Sequence, residues 1–289
     1  MTTSKRILVP VKLTGPDLAF DRALELARSS GAELYLLHAV PLDRSYSSRA
    51  AQRLKRLADL RRRAEDAGVA VQTVEQHGDV ADIIVLHADT RSVDMIVMSS
   101  GRRTGWARLR QPSIAESVMR RTIRPTLIVR DGETGPFKDV LVAVDRTPDT
   151  AQMVNTAIGL PGIDVRRLTV VHAVEQIEAA DAVHLLARWE GPEYRTYALE
   201  AARRDIGVMM QGVETAAEVD VRVSGGPADA VIESAVTDAR PDLIVVGRGT
   251  RLLHFATTAR RVLRNTDRSL LVVPAPARES RSIYKQAAA

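Results

Sequence analysis

Residues 7–12 read ILVPVK, and residues 140–145 read VLVAVD. Both are short apolar runs, rich in β-branched residues, that end in one charged side chain. Continuous runs of this kind are typical of strands that are buried on both faces of a parallel sheet. Because the run recurs after 133 residues (140 − 7), it indicates that one structural unit is repeated in the chain.

Three more segments recur in the same order. Residues 37–40 (LHAV) match 171–174 (VHAV), 94–99 (DMIVMS) match 242–247 (DLIVVG), and 126–129 (TLIV) match 269–272 (SLLV). Amphipathic helical patterns separate these segments, and Gly31 follows the first pattern, where a left-handed cap commonly ends a helix. We therefore predict an α/β fold with two tandem doubly wound domains, each a five-stranded parallel sheet flanked by helices.

The predicted domains are residues 1–131 and 137–276, with a tail at 277–289 that we expect to be frayed. Between them, residues 131–136 read DGETGP, a polar stretch with two glycines and a proline that is typical of a linker. The distance between matched segments grows from 134 residues (171 − 37) to 148 (242 − 94). The second half therefore carries an insertion, most of which lies within residues 175–212.

The composition is that of a soluble globular protein, with 45% apolar and 27% charged residues. No apolar run approaches the roughly 18 residues that span a bilayer, and residues 1–10 lack the apolar segment of a signal peptide. We therefore expect a cytoplasmic protein without a membrane span. The chain has no cysteine, which excludes disulfides, thiolate metal ligands and a cysteine nucleophile.

Basic residues are concentrated in the first half. Residues 1–136 hold 22 Lys+Arg and 16 Asp+Glu, a net charge of +6, which leaves 19 and 20, a net charge of −1, for the rest. Arginine-rich stretches at 53–63 and 102–124 are candidates for binding a small anionic ligand, although such a helix face is more often simply solvated. We expect no nucleic-acid partner, because aromatic residues make up only 3% of the chain.

The ordered segments resemble the universal stress protein family. In the first half they are ILVPVK, ALELA at 23–27, LLHAV at 36–40, DMIVMSS at 94–100, SIAES at 113–117 and PTLIV at 125–129. Because both halves match, the chain resembles a tandem, two-domain member of that family. The resemblance implies a stress-response protein without enzymatic activity and self-association through the last strands, here residues 126–130 and 269–273. The family contains ATP binders and members that have lost the site.

The resemblance also implies where a nucleotide would bind. ATP-binding members carry Gly, two residues, Gly, nine residues, then Gly followed by Ser or Thr. Glycines let the backbone approach phosphates closely, and the following helix N-terminus attracts an anion. An aspartate at the end of the first strand faces the adenosine, and the backbone at the end of the second strand holds the adenine.

The first half departs from this pattern. Ser99, Arg102 and Pro112 replace the three glycines, and Lys12 replaces the aspartate. The candidate cofactor-binding residues that remain in this half are Val40, Gly101, Gly105 and Ser113. Ser113 also begins the capping box SIAE, which explains it without a ligand. We predict that the first site is degenerate.

The second half retains more of the pattern. Its candidate cofactor-binding residues are Asp145, Val174, Gly247, Gly249 and Thr257. Thr257 is predicted to cap the last helix, where Arg260 in place of an acid would leave a positive charge that a bound anion would offset. The loop before Thr257 is four residues shorter than in the first half and has Ala256 at the last glycine position.

Three functions are therefore open. The first is a non-enzymatic stress-response protein with ATP as the candidate cofactor of the second half and no other cofactor. The second is an ATP-dependent switch or slow ATPase that uses the same residues. The third is an adaptor that binds an anionic ligand or partner through the basic first half.

Catalytic and metal-binding motifs are not expected. His38 and His172 occupy equivalent strand ends, which favours a shared structural or pocket-lining role. His77 and His87 lack a third ligand at useful spacing, so we predict no metal site. No potential nucleophile has a recognisable base partner, so we predict no catalytic residue.

Overall fold

The structure is a computed structural model of the chain. It describes residues 5–14, 17–41, 50–99, 113–130, 135–147, 149–174, 192–248 and 252–274. Strands and helices alternate through these ranges, as the repeated apolar runs predict. None of the helices within them combines the length and apolar character needed to cross a membrane.

The described part of the first half contains five strands and four helices. The strands are β1 (Arg6–Pro10), β2 (Glu33–Val40), β3 (Val71–His77), β4 (Met95–Ser99) and β5 (Thr126–Val129). The helices are α1 (Leu18–Ser30), α2 (Ala50–Asp66), α3 (Val80–Thr90) and α4 (Ile114–Arg121). The predicted cap of α1 is confirmed, since Gly31 has a φ of 67° and its N–H donates to the carbonyl of Ala27.

The second half repeats this order. Its strands are β6 (Phe137–Ala143), β7 (Ile163–Val174), β8 (Glu218–Gly225), β9 (Leu243–Arg248) and β10 (Ser269–Pro274). Its helices are α5 (Thr150–Ile158), α6 (Pro192–Met210), α7 (Ala228–Ala239) and α8 (Leu252–Asn265). Helix α6 begins at Pro192, a position where the missing N–H of proline costs no helical hydrogen bond.

The ten strands form one sheet in the order β3-β2-β1-β4-β5-β10-β9-β6-β7-β8. Neighbouring strands within each half are parallel, whereas β5 and β10 are antiparallel. The prediction of two doubly wound parallel sheets in tandem is confirmed. In addition, the two sheets are continuous, because their last strands pair with each other.

The joint between the two sheets has approximate twofold symmetry. Leu270 pairs with Ile128, and Leu271 pairs with Leu127. Under the repeat offset of 143 residues (270 − 127), Leu127 corresponds to Leu270 and Ile128 to Leu271. Each pair is thereby converted into the other, as a twofold axis between them requires. The expected contact between the last strands is therefore formed inside one chain, while self-association of separate chains stays a prediction.

Apolar side chains cover both faces of the sheet. One layer includes Phe20 of α1 and Val154 of α5, and the other includes Val118 of α4 and Val262 of α8. Each layer holds residues from both halves in one contiguous cluster, so the core continues across the joint. The halves are packed as one unit along the sheet.

Helix α1 also fixes the beginning of the second half. Arg22 is only 3% exposed, and its guanidinium carbon lies 3.9 Å from the centre of the Phe137 ring. Its Nη1 donates to the Glu25 carboxylate at 2.9 Å and also to the carbonyl of Gly135. A buried guanidinium requires such partners, because removing a charge from water is costly. These contacts hold residues 135–137 against α1.

A second contact between the halves lies at the turn before β7. A Cβ placed on Gly162 would lie 2.1 Å from Cδ2 of Leu26 and 3.2 Å from its Cα. Gly162 also has a φ of 73°, which disfavours any side chain. Glycine is therefore required here both by the backbone conformation and by the close approach of α1.

Candidate functional site

The order of the strands creates a crevice at the carboxyl end of each half. In the second half β6 lies between β7 and β9, and in the first half β1 lies between β2 and β4. The connection from the central strand leads to the neighbouring strand on one side, and a later connection leads to the neighbouring strand on the other side. The two connections therefore diverge at the carboxyl end of the central strand. In doubly wound sheets ligands bind at such a switch point.

The structure brings three of the predicted residues together at the second of these crevices. Asp145 follows the end of β6, Val174 ends β7, and Gly247 is the next to last residue of β9. These strands are adjacent, since Ala143 of β6 pairs with both Val171 and Val246. Residues separated by about one hundred positions in sequence therefore share one edge of the sheet.

Asp145 is presented to solvent by the turn that follows β6. Its carbonyl accepts hydrogen bonds from the N–H of Thr147 at 2.9 Å and from the hydroxyl of Thr150 at 2.6 Å. Both bonds use the carbonyl of Asp145 and not its carboxylate, and the residue is exposed. A carboxylate in this position is able to accept hydrogen bonds from the hydroxyl groups of a ligand.

The ends of the second strands are held alike in the two halves. The carbonyl of Val174 accepts from the N–H of Gly226 at 3.1 Å, and that of Val40 accepts from Gly78 at 2.9 Å. A carbonyl oxygen has two lone pairs, so each keeps the capacity for one further hydrogen bond. Val40 and Val174 thus lie at equivalent positions of the two crevices.

The paired histidines have a shared structural role. Nδ1 of His38 lies 3.0 Å from the carbonyl oxygen of Val11, and Nδ1 of His172 lies 2.8 Å from that of Val144. In each half the imidazole satisfies the first carbonyl beyond the central strand, which the sheet no longer pairs. The histidines therefore hold the strand ends in place.

A methionine fills the space that a side chain of Gly247 would take. A Cβ placed on Gly247 would lie 2.6 Å from the sulfur of Met153, which belongs to α5. The absence of a side chain at this position therefore makes room for Met153 in the structure. Sequence reasoning missed this contact, since nothing in a helical pattern shows which strand residue a given methionine will meet.

The described residues of the turn after β1 pack against their own half of the chain. Leu13 is 5% exposed and belongs to the core, and its carbonyl accepts from Nη1 of Arg56 at 2.7 Å. The Asp17 carboxylate accepts from the N–H of Phe20 at 3.2 Å and from the N–H of Lys12 at 3.1 Å. Burial raises the pKa of Asp17 above its ordinary value, although these hydrogen bonds oppose the shift. The described residues of this turn are thus held by contacts with α1 and α2.

Sequence reasoning missed the roles of Leu13, Asp17 and Arg56 at this turn, although a local signal for Asp17 exists. Asp17 precedes the apolar pattern of α1 at the position where an aspartate commonly caps a helix, and the structure gives it that role. Leu13 and Arg56 carried no such signal, because their contact joins a turn to a helix 43 residues away.

The capping box at Ser113 is confirmed. The Ser113 hydroxyl accepts from the N–H of Glu116 at 3.1 Å, and the N–H of Ser113 donates to the Glu116 carboxylate at 3.0 Å. This reciprocal pair satisfies two N–H groups at the start of α4. Ser113 therefore has a complete structural role without a ligand.

The expected cap at Thr257 is wrong. Helix α8 begins at Leu252, so Thr257 lies within the helix and Arg260 lies still further from its N-terminus. The apolar residues of LLHFATTARRVL continue the helical spacing back to Leu252, and this periodicity extends the helix beyond the predicted boundary. Arg260 therefore does not place a positive charge at the N-terminus of α8.

Three predicted residues lie outside the described residues. They are Gly101, Gly105 and Gly249. Among the described candidate residues, Asp145, Val174 and Gly247 lie together at the crevice of the second half. Val40 alone ends a strand at the crevice of the first half.

The arginine-rich stretch of the first half is largely paired with acids where the structure describes it. Its ion pairs are Arg61 with Glu65 at 2.7 Å, Arg62 with Asp59 at 2.6 Å, Arg63 with Asp21 at 2.8 Å, Arg121 with Asp82, and Arg124 with Asp89 at 3.9 Å. Each pair adds little stability at the surface, but it reduces the local positive charge. These five described arginines are therefore partly neutralised, while Arg102, Arg103, Arg108 and Arg110 lie outside the described residues.

Metal ligands do not cluster within the described ranges. No group of three or more His, Asp or Glu side chains is arranged there to hold an ion. His87 lies instead beside Gln76, with Nε2 2.5 Å from Oε1, and burial lowers its pKa. A groove of about 180 Å³ between α7 and α8, lined by Ile232, Val236 and Val262 among others, contains none of the candidate residues.

Comparison with known proteins gives the family. A universal stress protein of Methanocaldococcus jannaschii is 28% identical over 142 residues, which cover 44% of this chain and 82% of that protein. The crystal structure of a universal stress protein from Archaeoglobus fulgidus DSM 4304 superposes with a TM-score of 0.67 at 18% identity, covering 93% of this chain and 96% of that one. This second likeness supports the fold.

A shorter structure is described as the universal stress protein from Archaeoglobus fulgidus in complex with dAMP. It is 20% identical with a TM-score of 0.34, and covers 44% of this chain and 97% of that one. The sequence model of the universal stress protein family matches residues 3–130 and again residues 136–274. The resemblance seen in the ordered segments is thereby confirmed, and the chain belongs to the universal stress protein family as a tandem member.

Proposed function

We propose that this universal stress protein is a non-enzymatic binding protein that holds one adenine nucleotide per chain, in its second half. The observation that carries the proposal is the difference between the two equivalent turns. Asp145 is exposed beside β7 and β9 and offers a carboxylate, whereas its counterpart Lys12 is an exposed cation followed by Leu13, which is buried in the core.

The residues of the second half fit the parts of an adenosine. The Asp145 carboxylate accepts hydrogen bonds, as a ribose with free hydroxyl groups requires. The strand end at Val174 offers a carbonyl with a second lone pair, which matches the exocyclic amino group of adenine. In the first half Lys12 stands in place of the aspartate and has no acceptor on its side chain.

The proposal is tested by calorimetry on the full chain with adenosine, AMP and Mg-ATP. We expect binding of an adenine ligand with a stoichiometry of one per chain. Loss of a hydrogen bond to a charged group costs about 1.5–3 kcal/mol, so Asp145→Ala should weaken binding by about tenfold or more. Asp164→Ala, an exposed carboxylate near the amino end of β7, is the matched control and should leave the affinity unchanged.

Two outcomes count against the proposal. If none of the three ligands binds at millimolar concentration, nucleotide binding is refuted. If a ligand binds and Asp145→Ala has the same affinity as Asp164→Ala, the site has been placed wrongly. Release of phosphate from Mg-ATP, measured in the same samples, would favour the slow ATPase or switch instead.

A further inference from the structure

The crevice of the second half has little room for a chain of phosphates. Helix α8 begins at Leu252 and β9 ends at Arg248, so residues 249–251 alone connect them. In the first half the connection from Ser99 to Ile114 comprises residues 100–113. A connection this short cannot surround a triphosphate with backbone N–H groups in the way that a long glycine-rich loop does.

Met153 further restricts the space for phosphates beside Gly247. A glycine at a phosphate site is useful because its bare Cα lets the ligand approach the backbone. At Gly247 the direction that a Cβ would take is occupied by the Met153 sulfur, 2.6 Å from that point. Met153 is partly buried and packs against the core with Val154, so its side chain is supported in this position.

We propose that the second half accepts an adenosine moiety with at most one phosphate and discriminates against a triphosphate, and that Met153 sets this limit. The inference rests on the proposed function and specifies its ligand. Asp145 and Val174 lie on the β6 and β7 side of the crevice, where the nucleoside would bind, whereas Met153 covers β9, toward which further phosphates would extend.

The test compares the affinities of AMP and Mg-ATP by calorimetry. For the wild-type chain we expect AMP to bind about tenfold more tightly than Mg-ATP. Met153→Ala removes the thioether and should reduce this ratio by about threefold or more, mainly by improving the binding of Mg-ATP. Met153→Leu keeps the volume of the side chain and should retain the wild-type ratio.

A control separates the role of Met153 in the site from its role in packing. Met210 of α6 is also partly buried and packs against the same core layer, but it lies at the end of α6, before the amino edge of β8. Met210→Ala should lower the melting temperature to a similar degree as Met153→Ala without changing the AMP to ATP ratio. A ratio that shifts equally in both variants would assign the effect to general loosening and overturn the role of Met153.

Two further results would overturn the inference while leaving the proposed function intact. The first is equal affinity of the wild-type chain for AMP and Mg-ATP, which would refute the size limit. The second is an AMP preference that persists unchanged in Met153→Ala, which would remove Met153 as its cause. If no adenine ligand binds at all, the proposed function fails rather than this inference alone.

Discussion

Replacing Gly162 by alanine should destabilise the protein by forcing apart the two halves. The new Cβ would lie 2.1 Å from Cδ2 of Leu26, which rotation of the leucine side chain can relieve, and 3.2 Å from its Cα, which rotation cannot. Leu26 is 1% exposed within α1 of the first half, so a shift of the helix would disturb the packing of the core around it. The perturbation therefore acts on the contact between halves.

The expected magnitude has two parts. A non-glycine residue in the left-handed region costs about 1–2 kcal/mol, and Gly162 has a φ of 73°. Inserting a methyl group into a well-packed contact costs about 1–3 kcal/mol more. The free energy of unfolding should therefore fall by about 2–5 kcal/mol in Gly162→Ala.

Gly68 provides a matched control, because it isolates the first part. Its φ is 74°, and a Cβ placed on it would meet no atom within 4 Å. Gly68→Ala should therefore lose only the backbone contribution, so that the two variants differ by about 1–3 kcal/mol. The assay is urea unfolding of both variants and the wild type, followed by far-UV circular dichroism. Equal loss of stability in the two variants would refute the close packing of α1 against the turn before β7.

Three further predictions concern single contacts. Ser113→Ala removes the capping box of α4 and should lower the free energy of unfolding by about 0.5–2 kcal/mol in urea, whereas Ser113→Asp, another good cap, should lose much less. Hydrogen bonds from Arg167 hold the pKa of Asp139 below its ordinary value of 3.8. The stabilisation that this pair gives the folded state is therefore present above pH 3.8 and is lost as the pH falls below that value. Asp139→Asn should flatten the acid limb of a plot of stability against pH, and an unchanged limb would contradict the assignment. Glu116→Gln keeps the capping box but removes the charge that pairs with Arg264 of the other half. A double-mutant cycle with Arg264→Ala should therefore give a coupling energy of about 1 kcal/mol. Zero coupling would show that this ion pair adds nothing to stability.

Local patterns predicted much of this protein. The apolar runs at 7–12 and 140–145 specify strands, because a strand buried on both faces must be apolar at every position. Gly31 and the capping box at Ser113 are equally local, since the residues that interact lie within one helical turn. The order of strands and helices in both halves followed from such signals.

The start of α8 was predicted wrongly because two local signals competed there. A threonine followed by a helical pattern suggested a cap at Thr257, but the apolar spacing continued upstream to Leu252 and decided where α8 begins. Because α8 begins at Leu252, Arg260 is no sign of a bound anion, and the connection after β9 consists of residues 249–251.

The state of the two crevices was decided by tertiary structure alone. The sequence by itself determined that Asp145 follows the first strand of the second half and that Lys12 follows the first strand of the first half. It could not show that Arg56 closes the turn at Leu13, or that Met153 occupies the open side of Gly247, 94 residues away (247 − 153). Such contacts depend on how helices pack on the assembled sheet, because close packing selects the partners of a side chain only after distant segments have been brought together.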